Sequence, residues 1–155
     1  GYLSKERGIV YMHEAGLRND LIETVKTAFV EEVGAGLCQE FSQVDDPLFT
    51  PTGFKDYAED AVFRMINPFL RGPVDRVTRD PVRKLGWEDR LLGSMKLACK
   101  AGVEPRILSK GASLALNFAC LEMNCDSPES ALKQIWNEIP IEKQKGLGDL
   151  ILSNF

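Results

Sequence analysis

The chain has 155 residues with an ordinary balance of side chains, of which 44% are hydrophobic and 27% are charged. That length suits one domain, and the apolar fraction is too high for a disordered chain. The formal net charge is −4 and the isoelectric point is about 5.1. Because nucleic acids and anionic lipids attract net positive charge, we expect neither nucleic acid nor a membrane as a main partner.

The first long helix is predicted after residue 19. Asp20 and Glu23 form a capping-box pattern, which is typical of a helix start. Gly34 and Gly36 are expected to end this helix, because glycine is common just beyond a helix C-terminus. One face repeats apolar residues at helical spacing: Ile22, Val25, Phe29 and Val33.

Prolines indicate the next two helix starts. Pro51 follows a polar loop at 43–50 and suits the first position of a helix. The expected core face of that helix consists of Phe54, Tyr57, Ala58, Ala61 and Met65. Asn67 and Pro68 form another cap and start, so a short helix is expected there at an angle to the previous one.

Four more helices are predicted in the second half of the chain. Their ranges are 87–100, 105–123, 126–140 with Asp126 and Glu129 as the capping pair, and 141–153. The helix at 105–123 is apolar nearly all round in its second half, which is typical of a buried central element. No stretch alternates like a strand, so we predict an all-α fold: a single multi-helical domain around that central helix.

Metal and disulfide chemistry find little support in the sequence. The cysteines are Cys38, Cys99, Cys120 and Cys125, and His13 is the sole histidine. No Cys-x-x-Cys pair occurs, so we expect no metal site and predict reduced thiols in a cytoplasmic protein. No secretory leader is visible, and the longest apolar run, 114–121, is too short to span a bilayer.

Positive charge is concentrated in residues 67–90. This run holds six arginines or lysines and four acidic residues, although the whole chain is acidic. Two interpretations are open: a solvated charged face, or a preorganised site for an anion or a polyol. Prolines within the run fix the backbone and favour the second interpretation.

The spacing of the basic residues suggests how they could converge. Arg76, Arg79 and Arg83 would share one face of an uninterrupted helix. Pro81 prevents that helix, so we expect Arg76 and Arg79 at a helix end and Arg83 with Lys84 in the turn beyond. A helix end followed by a turn can direct several donors at one small anion or at a row of hydroxyls. The alternative for Arg76 is an ion pair with Asp75, Asp80 or Asp89.

Four short motifs resemble a known family: NPFL at 67–70, VDRV at 74–77, RDPVRKL at 79–85 and DRL at 89–91. Together they are similar to the C-terminal domain of the mannitol-1-phosphate 5-dehydrogenases, in the polyol-specific long-chain mannitol dehydrogenase family. The resemblance is dense over these residues and fainter elsewhere, including Tyr2 and Leu3. It implies a helical domain like the C-terminal domain of 6-phosphogluconate dehydrogenase.

The resemblance also implies a two-domain enzyme. An N-terminal Rossmann domain would hold NAD, and the helical domain would hold the polyol phosphate, with mannitol 1-phosphate and fructose 6-phosphate as the substrate pair. The family's lysine base, with its following asparagine and histidine, has no counterpart here. We expect those residues just upstream of Gly1, so that residues 1–155 form the C-terminal domain and the isolated chain is inactive.

In this family the substrate cleft corresponds by motif to Arg76, Arg79 and Lys84. Arg83 is a further candidate, because a second guanidinium can grip phosphate in a bidentate manner. No catalytic, cofactor-binding or metal-binding residue is assigned within the chain. Asn67 is interpreted as a helix cap rather than a ligand.

A different class of function is also compatible with the sequence. The chain could be a non-catalytic helical interaction module whose basic loop binds an acidic partner. The two hypotheses predict different upstream sequences. A glycine-rich dinucleotide fingerprint, which residues 1–155 lack, would favour the enzyme.

Overall fold

A computed structural model describes residues 1–155 and contains helices without any sheet. A single isolated β-bridge joins Tyr11 to Pro73. A π-helical segment, Ala28–Gly34, makes the third and fourth helices continuous, and two 3-10 turns lie at Pro47–Phe49 and Pro68–Leu70. The α-helices are α1 (Tyr2–Glu6), α2 (Met12–Ala15), α3 (Asn19–Thr27), α4 (Ala35–Glu40), α5 (Pro51–Met65), α6 (Val74–Thr78), α7 (Pro81–Lys84), α8 (Arg90–Lys100), α9 (Arg106–Met123), α10 (Pro128–Ile135) and α11 (Ile141–Leu152).

Helix α9 is the central element, as its apolar composition predicts. It packs against α1, α7, α8, α10 and α11. Small side chains on α9, including Ala112, Ala115 and Ala119, are fully buried and let its neighbours approach closely. The hydroxyl of Ser113 donates a 2.6 Å hydrogen bond to the carbonyl oxygen of Ile151, which ties α9 to α11. The predicted all-α fold around this helix is therefore confirmed.

A carboxylate from another helix caps the start of α9. Pro105 precedes α9 and offers no side-chain acceptor to the first free N–H groups. The Glu32 carboxylate accepts from Ile107 N at 2.7 Å and from Leu108 N at 2.9 Å. Glu32 is only 4% exposed, so these two bonds satisfy a charge that would otherwise be costly to bury.

A second layer is formed by the continuous helix 19–40 together with α5 and α8. Its buried apolar residues are Leu21, Phe54, Ala58 and Val62, together with Leu92, Met95 and Ala98 of α8. Gly36 brings α4 against α8, since a Cβ atom there would lie 2.8 Å from the carbonyl carbon of Leu97. Close packing against α8, and not termination of the helix, therefore explains the glycine at this position.

Several predicted boundaries differ from the structure. The first long helix begins at Asn19, and Asp20 pairs with Arg7 instead of capping. That helix continues past Gly34 and Gly36, so the predicted end there is wrong. The reason is tertiary, because both glycines are buried against neighbouring helices.

Two helix starts also differ in detail. Ser127 caps α10 by accepting from Ser130 N at 3.1 Å, in place of the predicted Asp126 and Glu129 pair. Helix α8 begins at Arg90, three residues later than predicted, where the Asp89 side chain accepts from Arg90 N. The predicted starts at Pro51 and after Pro105 agree with the structure.

Candidate functional site

The basic run folds into two short helices with a sharp turn between them. Helix α6 ends at Thr78, and Arg79 leaves it in an extended conformation. Asp80 has a left-handed backbone with φ of 55°, a conformation that short polar side chains tolerate best. Pro81 then occupies the first position of α7. Arg83 and Lys84 thus lie on a one-turn helix, which corrects the expectation that they lie in a turn.

The turn places two guanidinium groups around one carboxylate oxygen. Arg79 Nε lies 3.8 Å from Asp80 Oδ2, and Arg83 Nη2 lies 3.9 Å from the same atom. All three side chains are exposed, and both distances exceed hydrogen-bond length, so these ion pairs are weak. An anion with several oxygens can engage both guanidinium groups through shorter, charge-assisted hydrogen bonds.

Arg76 is exposed on α6 and takes part in no salt bridge. The acidic side chains proposed as its alternative partners are engaged elsewhere. Asp75 pairs with Lys5 at 2.9 Å, and Asp89 pairs with Arg90 at 3.4 Å. Arg76 therefore has its guanidinium available to a ligand.

Lys84 occupies a different environment from the three arginines. It is 7% exposed, and its Nζ donates to the carbonyl oxygens of Val77 at 2.7 Å and Arg79 at 2.6 Å. These are carbonyls at the end of α6, which lack partners within that helix. Burial lowers the pKa of Lys84, and the positive charges of Arg83 and Arg90 lower it further. One N–H of the ammonium group remains for a ligand.

Tyr2 lies beneath this site, and motif reasoning assigned it no role. Lys84 Nζ is 5.6 Å from the centre of the Tyr2 ring, which stacks on Phe118 at 6.0 Å. The Tyr2 hydroxyl is buried without a hydrogen-bond partner. Burial raises the pKa of Tyr2 to about 12, and the carboxylates of Asp80 and Glu122 contribute. Only the position of Tyr2 beside Leu3 in the resemblance could have pointed to it.

Two tryptophans attach the basic run to the core. Trp136 is buried, and its indole N–H donates to the Leu85 carbonyl oxygen at 2.8 Å. Trp87 packs edge-on against Trp136 with ring centres 5.1 Å apart. This anchor holds the end of α7 in place, so the backbone that carries the arginines has a fixed support.

The segment before α3 lies alongside the start of α6. Met12 N donates to Gly72 O at 2.9 Å, and Val74 N donates to Val10 O at 2.8 Å. His13 follows this contact, with Nδ1 buried and unpartnered. Asn67 caps the 3-10 turn by accepting from Phe69 N at 2.9 Å, as predicted.

The structure contains no group of three or more His, Cys, Asp or Glu side chains that could hold a metal ion. No helix combines the length and apolar character needed to cross a membrane. The exposed guanidinium groups of Arg76, Arg79 and Arg83 can donate hydrogen bonds to an anion or to hydroxyl groups.

Sequence comparisons identify the relatives of this domain. The family of mannitol dehydrogenase C-terminal domains matches residues 1–143. A mannitol-1-phosphate 5-dehydrogenase from Caldanaerobacter subterraneus subsp. tengcongensis is 33% identical over 76% of this chain and 28% of its own length. The Bacillus licheniformis enzyme of the same name is 34% identical over 86% of the chain and 32% of its own length.

The Bacillus subtilis mannitol-1-phosphate 5-dehydrogenase is 32% identical over 76% of the chain and 28% of its own length. The chain thus spans about a third of the length of these curated relatives. The match includes both short helices, the turn at Asp80 and the central helix. The chain belongs to the family of mannitol dehydrogenase C-terminal domains.

Proposed function

We propose that residues 1–155 form the substrate-binding domain of an NAD-dependent oxidoreductase that interconverts mannitol 1-phosphate and fructose 6-phosphate. The family match supports the dehydrogenase role. The observation that carries the phosphate specificity is the convergence of Arg79 and Arg83 on one oxygen of Asp80. The two guanidinium groups attract negative charge at this position, so an oxygen of a bound phosphate would be stabilised close to it.

Within this proposal the four basic residues bind different parts of the substrate. Arg79 and Arg83 hold the phosphate, because two guanidinium groups can donate several hydrogen bonds to its oxygens. Arg76 and the remaining N–H of Lys84 donate to hydroxyls of the polyol chain. Lys84 also fixes the backbone of Arg79, so it positions one phosphate ligand while contacting substrate.

NAD does not fit the residues of this domain. A dinucleotide fold needs a strand, a glycine-rich turn and a helix, and this structure has no sheet. In the proposed enzyme NAD binds outside these residues, to an N-terminal Rossmann domain, and supplies the hydride acceptor. We expect the isolated chain to show neither NADH binding by calorimetry nor turnover in an absorbance assay. Turnover above background would contradict the proposal that NAD binds outside these residues.

The proposed partner domain needs a contact surface, and an apolar edge next to the arginines offers one. The apolar edge consists of Val10, Tyr11, Phe69 and Leu70, all of which are exposed. Phe69 is 92% exposed, which is unusual for a phenylalanine. The backbone bonds between residues 10–12 and 72–74 hold its two segments side by side.

The proposed setting is the cytoplasm, with a sugar or polyol phosphate as the small-molecule ligand. All four cysteines are free thiols, which is typical of proteins in reducing compartments.

Substitution of the arginines in the longer protein tests the proposal. Arg79→Ala and Arg83→Ala each remove a charge-assisted interaction worth about 1.5–3 kcal/mol, or roughly ten- to a hundredfold in kcat/KM for mannitol 1-phosphate. Activity toward unphosphorylated mannitol should change much less, whereas Arg76→Ala and Lys84→Ala should weaken both substrates. Arg64→Ala is the matched control, since Arg64 is an exposed arginine outside the run that pairs with Asp60. Equal losses on both substrates for Arg79→Ala and Arg83→Ala would overturn the phosphate assignment.

The apolar edge is also compatible with the second function, a non-catalytic interaction module that binds an acidic partner. The sequence upstream of Gly1 separates the two. The enzyme requires a glycine-rich fingerprint after an early strand and a lysine, asparagine and histidine cluster shortly before Tyr2. The module requires neither.

A further inference from the structure

The end of the central helix brings two cysteines together. Asn124 has a left-handed backbone with φ of 53°, and Cys125 N donates to the carbonyl oxygen of Cys120 at 3.0 Å. Asn124 N donates to Leu121 O at 3.3 Å. These bonds define a Schellman motif, in which the side chains of the two residues joined by the bond with the larger sequence separation commonly contact one another. In this chain both of those residues are cysteines.

The two sulfurs lie in a shared, partly accessible environment. The Cys120 thiol donates to the carbonyl oxygen of Cys125 with a 3.3 Å separation, so its sulfur already lies against the other cysteine. The Cys125 sulfur accepts from the side-chain amide of Gln134 at 3.4 Å. Both cysteines are half-buried and unoxidised.

A surface groove lies beside the side chain that contacts the Cys125 sulfur. Gln134 lines an open surface groove of about 600 Å³, together with Ser127, Ser130 and Lys133. The groove is lined almost entirely by polar side chains, which suits a small polar molecule. Both cysteines also pack against the hydrophobic core of the domain, so the contact with Gln134 is what distinguishes Cys125 from Cys120.

We propose that Cys120 and Cys125 form a reversible redox pair that reacts with low-molecular-weight disulfides. This inference does not depend on the proposed dehydrogenase function. Cys125 is the entering thiol, because its sulfur contacts Gln134, which lines the groove, and Cys120 is the resolving thiol. The product is an intramolecular disulfide that closes the end of α9.

The reaction balances in two thiol–disulfide exchanges. The Cys125 thiolate attacks one sulfur of the small disulfide, its S–S bond breaks, and one small thiol leaves with the proton from Cys125. The Cys120 thiolate then attacks the Cys125 sulfur of the mixed disulfide, and the second small thiol leaves with the proton from Cys120. Two cysteines lose two electrons in total, and the small disulfide is reduced to two thiols.

The backbone geometry favours closure over accumulation of the mixed disulfide. A disulfide needs Cα atoms about 4.4–6.8 Å apart, and a direct backbone hydrogen bond between the two residues keeps them within such a range. Because the second thiol is held next to the first, its effective concentration is far above that of the small thiol in solution.

Peptide mapping of the 155-residue chain treated with oxidised glutathione tests the proposal. Trypsin releases residues 111–133 as one peptide, since no lysine or arginine lies between Lys110 and Lys133. This peptide contains both cysteines, so closure appears as the loss of two hydrogens from one peptide, reversed by dithiothreitol. Cys38 and Cys99 serve as internal controls, because burial raises the pKa of both thiols and neither belongs to the motif.

Two single variants test the order of attack. Cys120→Ser should trap glutathione on Cys125, whereas Cys125→Ser should leave Cys120 with little or no adduct, a difference expected on the order of tenfold in labelling rate. Circular dichroism checks that both variants keep the helical fold. The proposal is overturned if the 111–133 peptide of the unsubstituted chain keeps both thiols while Cys99 is modified. It is equally overturned if only a mixed disulfide accumulates.

Discussion

The ammonium nitrogen of Lys84 lies 2.6 Å from the carbonyl oxygen of Arg79, so one proposed substrate residue holds the main chain of another. Replacement by methionine keeps the apolar stem and removes both backbone hydrogen bonds of the ammonium group. We expect Lys84→Met to lower the free energy of unfolding by about 1–3 kcal/mol, because two helix-end carbonyls lose their partners. Urea denaturation of the 155-residue chain measures this loss.

The control for Lys84 is Arg76→Met, which changes an exposed side chain without an ion pair. Its effect should stay within about 0.5 kcal/mol. If the two variants had equal stability, Lys84 would have no structural role, and its hydrogen bonds to α6 would be incidental.

A second prediction concerns the cap that Glu32 provides to α9. Glu32→Ala removes the acceptor of two partly buried N–H groups and should lower the free energy of unfolding by about 1–3 kcal/mol. The neighbouring Glu31 is exposed, so Glu31→Ala is a matched control with little expected effect. A Glu32→Ala chain as stable as the control would show that solvent replaces the cap without cost.

A pair of glycine substitutions tests the close contact between α4 and α8. An alanine at Gly36 would place its Cβ 2.8 Å from backbone and side-chain atoms of Leu97, and should cost about 1–3 kcal/mol. Gly93 lies inside α8 with nothing within 4 Å of a Cβ atom. Gly93→Ala should therefore stabilise the chain by about 0.5–1 kcal/mol through helix propensity. Thermal melts should show a lower melting temperature for Gly36→Ala and a higher one for Gly93→Ala. Destabilisation by Gly93→Ala would contradict the prediction.

The buried Tyr2 phenol predicts a loss of stability at high pH. Its pKa rises from an ordinary value near 10 to about 12 in the folded state, so the unfolded chain releases this proton first. The stability that the buried phenol contributes is fully present below pH 10 and is lost as the pH rises toward 12. This contribution to the free energy of unfolding is at most about 2–3 kcal/mol. Lys84 acts with the opposite sign at lower pH, because its pKa is lowered in the folded state.

Comparison with Tyr2→Phe isolates the tyrosine. Urea denaturation at pH 9, 10 and 11 should show a steeper decline for the unsubstituted chain than for the variant. Parallel pH profiles would mean that the phenol is solvated in the folded state.

The apolar edge predicts self-association of the isolated domain. Exposed Phe69 and Leu70 should pair with the same residues of other copies when no second domain covers them. We expect a double Phe69→Ser and Leu70→Ser variant to show a lower apparent mass by light scattering at high concentration. Leu121→Ser is the control, since Leu121 is 74% exposed and Leu70 is 67% exposed. A strictly monomeric unsubstituted chain would contradict this prediction.

Local signals made most of the helices predictable. Pro51 and Pro105 indicate helix starts because proline fits the first turn or the position just before it, and the apolar surface of 105–123 indicates burial. The predicted capping role of Asp20 and the predicted helix end near Gly34 were wrong, because tertiary contacts override these local patterns. Asp20 forms an ion pair with Arg7, and Gly34 packs against Phe54 of α5.

In the site, too, features set by neighbouring residues were predictable, and features set by long-range packing were not. Spacing and Pro81 predicted that the arginines converge at a helix end, since that follows from neighbouring residues. The burial of Lys84 depends on how α7 folds back on α6, and the Glu32 cap joins residues 75 positions apart. Contacts of that kind arise from packing and leave no periodic pattern in the sequence.

The π-helical segment at Ala28–Gly34 has a consequence for insertions and deletions. A π turn takes up one residue more than an α turn while leaving the helix beyond it in nearly the same rotation about its axis. Loss of one residue between Ala28 and Glu32 can therefore be absorbed by conversion to regular α-helix, which keeps Glu32 at the start of α9 and Gly36 against Leu97. Loss of one residue from regular α-helix cannot be absorbed in this way and would rotate everything beyond it by about 100° about the axis. Homologous chains should therefore vary in length at this segment more readily than elsewhere in the continuous helix 19–40.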